Sequence, residues 1–138
     1  MVGTLNYLSP EMMKHQISVI ESDLWDLGCI IFKMTTGRVP FPGVDMITVR
    51  NLILQRKIDW QDDPIEPECK DLIERLLVMN PRDRLGAPDT DHDMLALMAH
   101  PFFRGIDFNG DLSKLELKKI ISMNLPQGIQ FVVDKPRE

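Results

Sequence analysis

A mainly helical domain built round one central buried helix is what the sequence predicts. Ser22 to Gly37, SDLWDLGCIIFKMTTG, is apolar on nearly every side, where a surface helix would carry a single stripe. Cys69, Leu72, Ile73, Leu76 and Leu77 recur at i, i+3, i+4, i+7 and i+8, the cleanest amphipathic stripe in the chain. Strand signal is weak apart from Ile129 to Val133.

The elements follow in order. Residues 1–21 open polar and turn-rich, and Pro10 bars a helix through Ser9 while suiting the first position of a short one over Glu11 to His15. In the central helix Ser22 is placed to cap, Glu21, Asp23 and Asp26 stand near the positive end of the helix dipole, and Gly37 supplies the permissive backbone that ends it. An aspartate at the start of a buried helix costs several kcal/mol unless something bonds to it, so Asp23 either caps its own first turn or needs partners elsewhere. RVPFPGV, Arg38 to Val44, reads as a turn ended by Asp45 as cap, after which Met46, Val49, Leu52 and Ile53 mark a surface helix to about Gln55. Trp60 anchors an irregular stretch, Pro67 opens the amphipathic helix, and Asn80-Pro81 stops it. NPRDRLGAPDTD is a loop, a short helix runs from about Asp93 to Ala99, and His100-Pro101 closes it. Phe102, Phe103, Ile106 and Phe108 are apolar enough to dock, while SKLELKKIISM is either helical or extended over a surface.

Composition excludes several classes. At 138 residues, 43% hydrophobic and 27% charged, the chain has ordinary globular usage and room for one core. A net charge of -5 gives no basic footprint for nucleic acid and no cationic face for an anionic membrane. The longest apolar run is broken by Lys33, short of the ~20 residues of a membrane span, and no signal region follows Met1. A cytoplasmic protein without membrane insertion is expected. Cys29 and Cys69 sit in apolar helical patterns and read as free buried thiols.

Few patterns carry chemistry by themselves. Asp89 to Asp93, DTDHD, alternates carboxylates, but a calcium loop starting at Asp89 would need Gly at 94 and Glu at 100, and the chain has Met94 and His100. The run reads as a solvated cap, with no metal. His15, His92 and His100 are scattered without metal-ligand spacing. No GxGxxG, GxxxxGK[ST] or GxSxG pattern occurs.

An ordered set of short motifs stands out instead. Gly3-Thr4-Leu5-Asn6-Tyr7-Leu8-Ser9-Pro10-Glu11 has the pattern GTxxYxSPE; Asp23-Leu24-Trp25-Asp26-Leu27-Gly28 follows; then come Asn80 to Gly86, NPRDRLG, and His100-Pro101-Phe102-Phe103. In this order and spacing they resemble the C-terminal lobe of a eukaryotic serine/threonine protein kinase, from Val2 to about Phe108. DRLG and HPFF look like the AGC group, and VGTxxYxSPE with SDLWDLGCIIFKMTTGRVPF is most similar to the 3-phosphoinositide-dependent kinases.

The resemblance carries expectations. Residues 1–103 would be a partial kinase domain, from the end of the activation segment to the last helix of the lobe, and 104–138 an AGC-type extension. Ser9-Pro10-Glu11 stands where the family has Ala-Pro-Glu, and Glu11 would pair with Arg84 in a buried ion pair. Asp23, with Trp25 and Gly28 in the same motif, would hold the backbone of a catalytic loop. Thr4 would touch the catalytic aspartate, and Leu5, Asn6 and Tyr7 would line the floor for a protein substrate, with Leu5 and Asn6 departing from the commonest Pro-Glu there. The absence of a tyrosine-kinase-type loop favours Ser/Thr substrates. ATP and magnesium are the cofactors of the complete enzyme, yet the Gly-rich loop, the Lys–Glu pair, the catalytic Asp with its Asn, and the metal-holding Asp are not in these 138 residues. The N-lobe and catalytic loop are therefore missing partners, and the chain is expected to be inactive alone. A non-catalytic docking or scaffold module, or part of a pseudokinase, is the alternative. An exposed apolar patch near Thr4 to Tyr7 and marginal stability are also expected.

Overall fold

The computed structural model describes residues 6–108. The expectations on Thr4 and Leu5, on SKLELKKIISM and on a strand at 129–133 lie outside them. The described residues are mainly helical, with no strand among them: α1 Pro10–His15, α2 Ser22–Thr36, α3 Met46–Leu54, α4 Pro67–Leu76 and α5 Met94–Met98, with 3-10 turns at Pro81–Asp83 and Pro101–Phe103.

Helix α2 is the post against which α4 packs. Leu24, Trp25, Cys29, Ile31 and Phe32 on it are buried, as are Cys69, Leu72, Ile73 and Leu76 on α4 and Leu77 just beyond it. The wrapping is not complete on every side: Leu27, Ile30 and Met34, three and four residues apart, form a half-buried stripe. Gly37 ends α2 in the left-handed region (φ 77°), its N–H donating to Lys33 at 2.8 Å. Ser22 is not the cap that its residue type suggests. It is the first residue of the helix, and its hydroxyl donates to Glu11 Oε2 at 2.8 Å while accepting from the Val19 N–H at 3.0 Å. Capping preference is local; here a carboxylate from α1 takes the hydroxyl.

Gly28 sets the approach of the two main helices. A Cβ there would lie 2.8 Å from Leu77 Cδ2 and 3.0 Å from Leu76 Cβ, so a side chain fits only if the Leu77 side chain swings aside and α4 gives slightly. Gly28→Val is expected to cost about 1–3 kcal/mol through overpacking, read as a lower melting temperature. An unchanged melt would mean that the helices have slack.

The connections are tied down by side chains. Phe41 is fully buried and stacks on Trp25 at 5.5 Å and 7°. Arg38 pairs with Asp59 at 3.0 Å and with Asp63, and its guanidinium lies 5.7 Å from the Phe32 ring centroid. Trp60 is half-buried between Phe32 (5.4 Å) and the Lys70 ammonium (5.0 Å), the anchor that the sequence suggested. Asp45 caps α3 by accepting from Thr48 N–H at 2.7 Å, and Val49 and Ile53 face the core. Met46, assigned to that stripe by spacing, is instead 62% exposed, because the helix's first turn projects past the core. Asp93 caps α5 through the Leu95 and Ala96 N–H groups. His100 is buried, with Nε2 2.7 Å from Asp71 and Nδ1 accepting from the Phe102 N–H, so it clips the Pro101–Phe103 turn to α4.

The stretch read as a plain loop, 80–91, does more than connect. It holds the 3-10 turn and places Arg84, Leu85 and Ala87 in the interior. Of the apolar patch expected near Thr4 to Tyr7, Thr4 and Leu5 lie outside the described residues. Asn6 is buried and Tyr7 half-buried, while Ile20, Met94 and Leu95 in one region and Val44, Met46 and Ile47 in another stand in solvent.

Candidate functional site

The site is organised by one cation. Arg84 is completely buried, and an unpaired guanidinium there would be prohibitive, so its donors have to be met. Nη1 and Nη2 donate to the two carboxylate oxygens of Glu11 at 2.7 and 2.8 Å. Nε donates to the Val78 carbonyl at 2.8 Å, and Nη1 also reaches the Glu21 carbonyl at 2.9 Å. The guanidinium plane lies 5.2 Å from the Trp25 ring centroid. This fork-to-fork geometry is the strong form of the Arg–carboxylate contact. It welds α1, the start of α2 and the turn after α4 into one unit.

The electrostatics divide the nearby carboxylates. Burial alone would push the Glu11 carboxyl up, but hydrogen bonds from Arg84, its own backbone N–H and Ser22, with the Arg84 charge, outweigh it and hold it down at about 2. Asp26 goes the other way. Half burial first, then the charges of Asp23 and Glu11, push it up to about 6, against the pull of Arg84. Asp26 is therefore an ionised carboxylate that the fold resists. Its folded value lies above the unfolded value of 3.8, so the penalty is absent below pH ~3.8 and complete above pH ~6. Asp26→Asn should raise the melting temperature at pH 7 and leave it unchanged at pH 3. A fall at pH 7 would mean that the carboxylate contributes a favourable contact. Burial also pushes the Cys29 thiol well up, so it is an inert thiol in the core.

The substrate-facing residues named from the sequence are placed as follows. Thr4 and Leu5 lie outside the described residues. Asn6 is buried, and its amide donates to the Phe41 carbonyl at 2.6 Å, so its side chain fastens the 6–8 segment to the proline loop rather than projecting outward. Tyr7 is half-buried against the core. Ser9 and Pro10 are buried at the start of α1. The Ser9 hydroxyl and the Trp25 indole N–H have no hydrogen-bond partner among the described residues. Asp23 is exposed. It carries no burial cost in this chain, contrary to the cost expected at a buried helix start, although Glu21, Ser22, Leu24 and Trp25 beside it are buried. Gly28 sits at the α2–α4 contact and takes no part in the Arg84 network.

Several members were not legible beforehand. Ser22, the Glu21 carbonyl, Phe41 and the perturbed Asp26 all belong to the site through contacts with distant segments. The one available signal was the pairing of Ser22 with a carboxylate-rich helix start, and it pointed to capping.

The protein kinase domain family matches residues 1–103. The probable serine/threonine-protein kinase pdkA of Dictyostelium discoideum is 44% identical over 108 residues, covering 78% of this chain and 15% of that protein. Serine/threonine-protein kinase ksg1 of Schizosaccharomyces pombe is 36% identical, covering 83% of this chain and 18% of its own length. Human 3-phosphoinositide-dependent protein kinase 1 is 35% identical, covering 76% and 18%. The chain thus spans less than a fifth of the length of each of these three relatives. Among the described residues no helix is long and apolar enough to cross a membrane. The chain belongs to the protein kinase domain family, and it is similar to serine/threonine-protein kinases and to a 3-phosphoinositide-dependent one.

Proposed function

We propose that this chain is the substrate-facing part of the C-terminal lobe of a cytoplasmic serine/threonine protein kinase, a kinase that transfers the γ-phosphate of ATP to Ser or Thr of protein substrates. The observation that carries the reading is the fully buried Arg84, bonded to both oxygens of Glu11, which fixes the 6–11 segment against α2. A peptide platform needs such rigidity, because phosphoryl transfer is mostly positioning. Tyr7 and the backbone of 6–8 form the floor, Asn6 holds that floor to the Phe41 loop, and Thr4 and Leu5 complete it. Thr4 meets a catalytic aspartate that another part of the kinase supplies, and Asp23 holds the loop that carries that aspartate. ATP and magnesium belong to that other part. No residue set for them stands in this sequence, so the chain binds and orients substrate and transfers nothing by itself.

Two measurements test this. The purified chain with ATP, magnesium and a serine-containing protein substrate should show no phosphate transfer; robust transfer would refute the division of labour. Sequencing the transcript upstream of Met1 should give in-frame HRDxxxxN and DFG motifs. A stop codon directly upstream would make the chain a docking module instead.

A further inference from the structure

Val44, Met46 and Ile47 stand 90%, 62% and 73% exposed, three large apolar side chains gathered where α3 begins. Large apolar groups clustered in this way mark a protein contact more often than an idle surface. Their backbone is held firmly. Asp45 caps α3 through the Thr48 N–H at 2.7 Å, and Gly43 lies flat on the helix, since a Cβ there would come within 2.8 Å of Val49 Cγ2 and 3.1 Å of the Val49 nitrogen. Helical spacing sets Arg50, four residues after Met46 and three after Ile47, on the same side of α3. Arg50 is exposed and is the only charged residue of that helix. It makes no ion pair or hydrogen bond among the described residues, so the face offers apolar contact beside an unmet cation.

This face continues from the substrate floor. Asn6 donates its amide to the Phe41 carbonyl at 2.6 Å, and Phe41, its ring fully buried, precedes Val44 by three residues, a span of about 11 Å at most in extended chain. Helix α1, which directly follows the floor, also packs on α3. A peptide lying on 6–8 therefore reaches Val44 within a few residues. Thr4 and Asp23, which the proposed function gives to the catalytic loop, take no part in it. We infer that Val44, Met46, Ile47 and Arg50 form a second docking point for the protein substrate, which meets them with a large apolar side chain and a carboxylate beside it, away from the Ser or Thr that receives the phosphate. The inference rests on the reading of 6–8 as the substrate floor. A contact tethered to the floor adds affinity without touching the reacting hydroxyl.

Amide nitrogen-15 spectra of the full 138-residue chain test this with three synthetic probes: a short serine peptide, and the same peptide lengthened at one end or at the other by a run holding two leucines and a glutamate. All three are expected to shift amides at 6–8. One lengthened peptide should also shift those at 44–50 and bind about tenfold tighter than the short one, the effect of part-burying one or two apolar side chains. Ile47→Asp and Arg50→Glu change exposed side chains only; each should reduce that gain and leave the short peptide unaffected. Arg50→Glu should recover the gain when lysine replaces the glutamate of the probe. If neither lengthened peptide gains affinity or moves 44–50 while the short one still binds, the docking face is overturned and the floor stands. Shifts at 44–50 with none at 6–8 from any probe would sink the floor and, with it, the substrate as occupant. Shifts at 44–50 that follow protein concentration without peptide would assign the face to a second copy and overturn the inference too.

Discussion

Arg84→Ala should lower the stability of this chain by about 3–5 kcal/mol, the cost of removing one partner from a buried, hydrogen-bonded ion pair. The whole stability of a domain this size is about 5–15 kcal/mol, so the variant is expected to be largely unfolded at 37 °C. Arg82→Ala is the control. Arg82 also makes an ion pair, with Glu21 at 3.2 Å, but its side chain is 52% exposed, and such pairs contribute about 0–1 kcal/mol. The difference lies in the guanidinium: Arg84 is fully buried, and deleting it strands the Glu11 carboxylate and the Val78 and Glu21 carbonyls, whereas Arg82 is half in water, so solvent already stands beside its contact with the Glu21 carboxylate, itself only 11% exposed. Equal melting shifts would remove Arg84 from the centre of the site. The pH dependence checks the same pair. Glu11 is held at about 2 against 4.5 unfolded, so its contribution is full above pH ~4.5 and is lost as pH falls toward ~2. A variant lacking the Arg84 guanidinium should lose most of that acid sensitivity.

Trp25→Ala is expected to cost about 3–5 kcal/mol, because a fully buried indole is replaced by a cavity. The stack on Phe41 and the contact with the Arg84 guanidinium go with it. Trp25→Phe should cost far less, about 1–2 kcal/mol, since a ring remains and the indole N–H has no hydrogen bond to lose among the described residues. The functional consequence runs through Phe41. Its carbonyl accepts from Asn6, so loosening the Phe41 ring should speed amide hydrogen exchange at Asn6 and Tyr7 in Trp25→Ala and leave it slow in Trp25→Phe. Similar melts and similar exchange in the two variants would separate the substrate floor from the core.

The helices were readable because their signals are local. Periodicity placed α2 and α4, proline opened α1 and α4, and Asp45 and Asp93 acted as the caps that their type favours. Ser22 was misread for the same reason: a hydroxyl beside a helix start signals a cap, and nothing near it in sequence reports that Glu11 will arrive from α1 to take it. Met46 fits the α3 period yet sits in water, since period fixes the face and not the length of helix that the core covers. Glu11 and Arg84, 73 positions apart, came together on motif resemblance; composition and spacing give Arg84 no mark that distinguishes it from Arg82.

The sequence by itself determined a helical chain with an apolar central segment, the family to which it belongs, and the absence of the ATP and magnesium motifs. Only the tertiary structure decided which charges are buried and which are free. It put Arg84 inside and Asp23 in solvent, turned Asn6 inward and raised Asp26. Burial is a property of how segments from distant parts of the chain pack together, and ionisation follows burial. No residue type or spacing encodes either one locally.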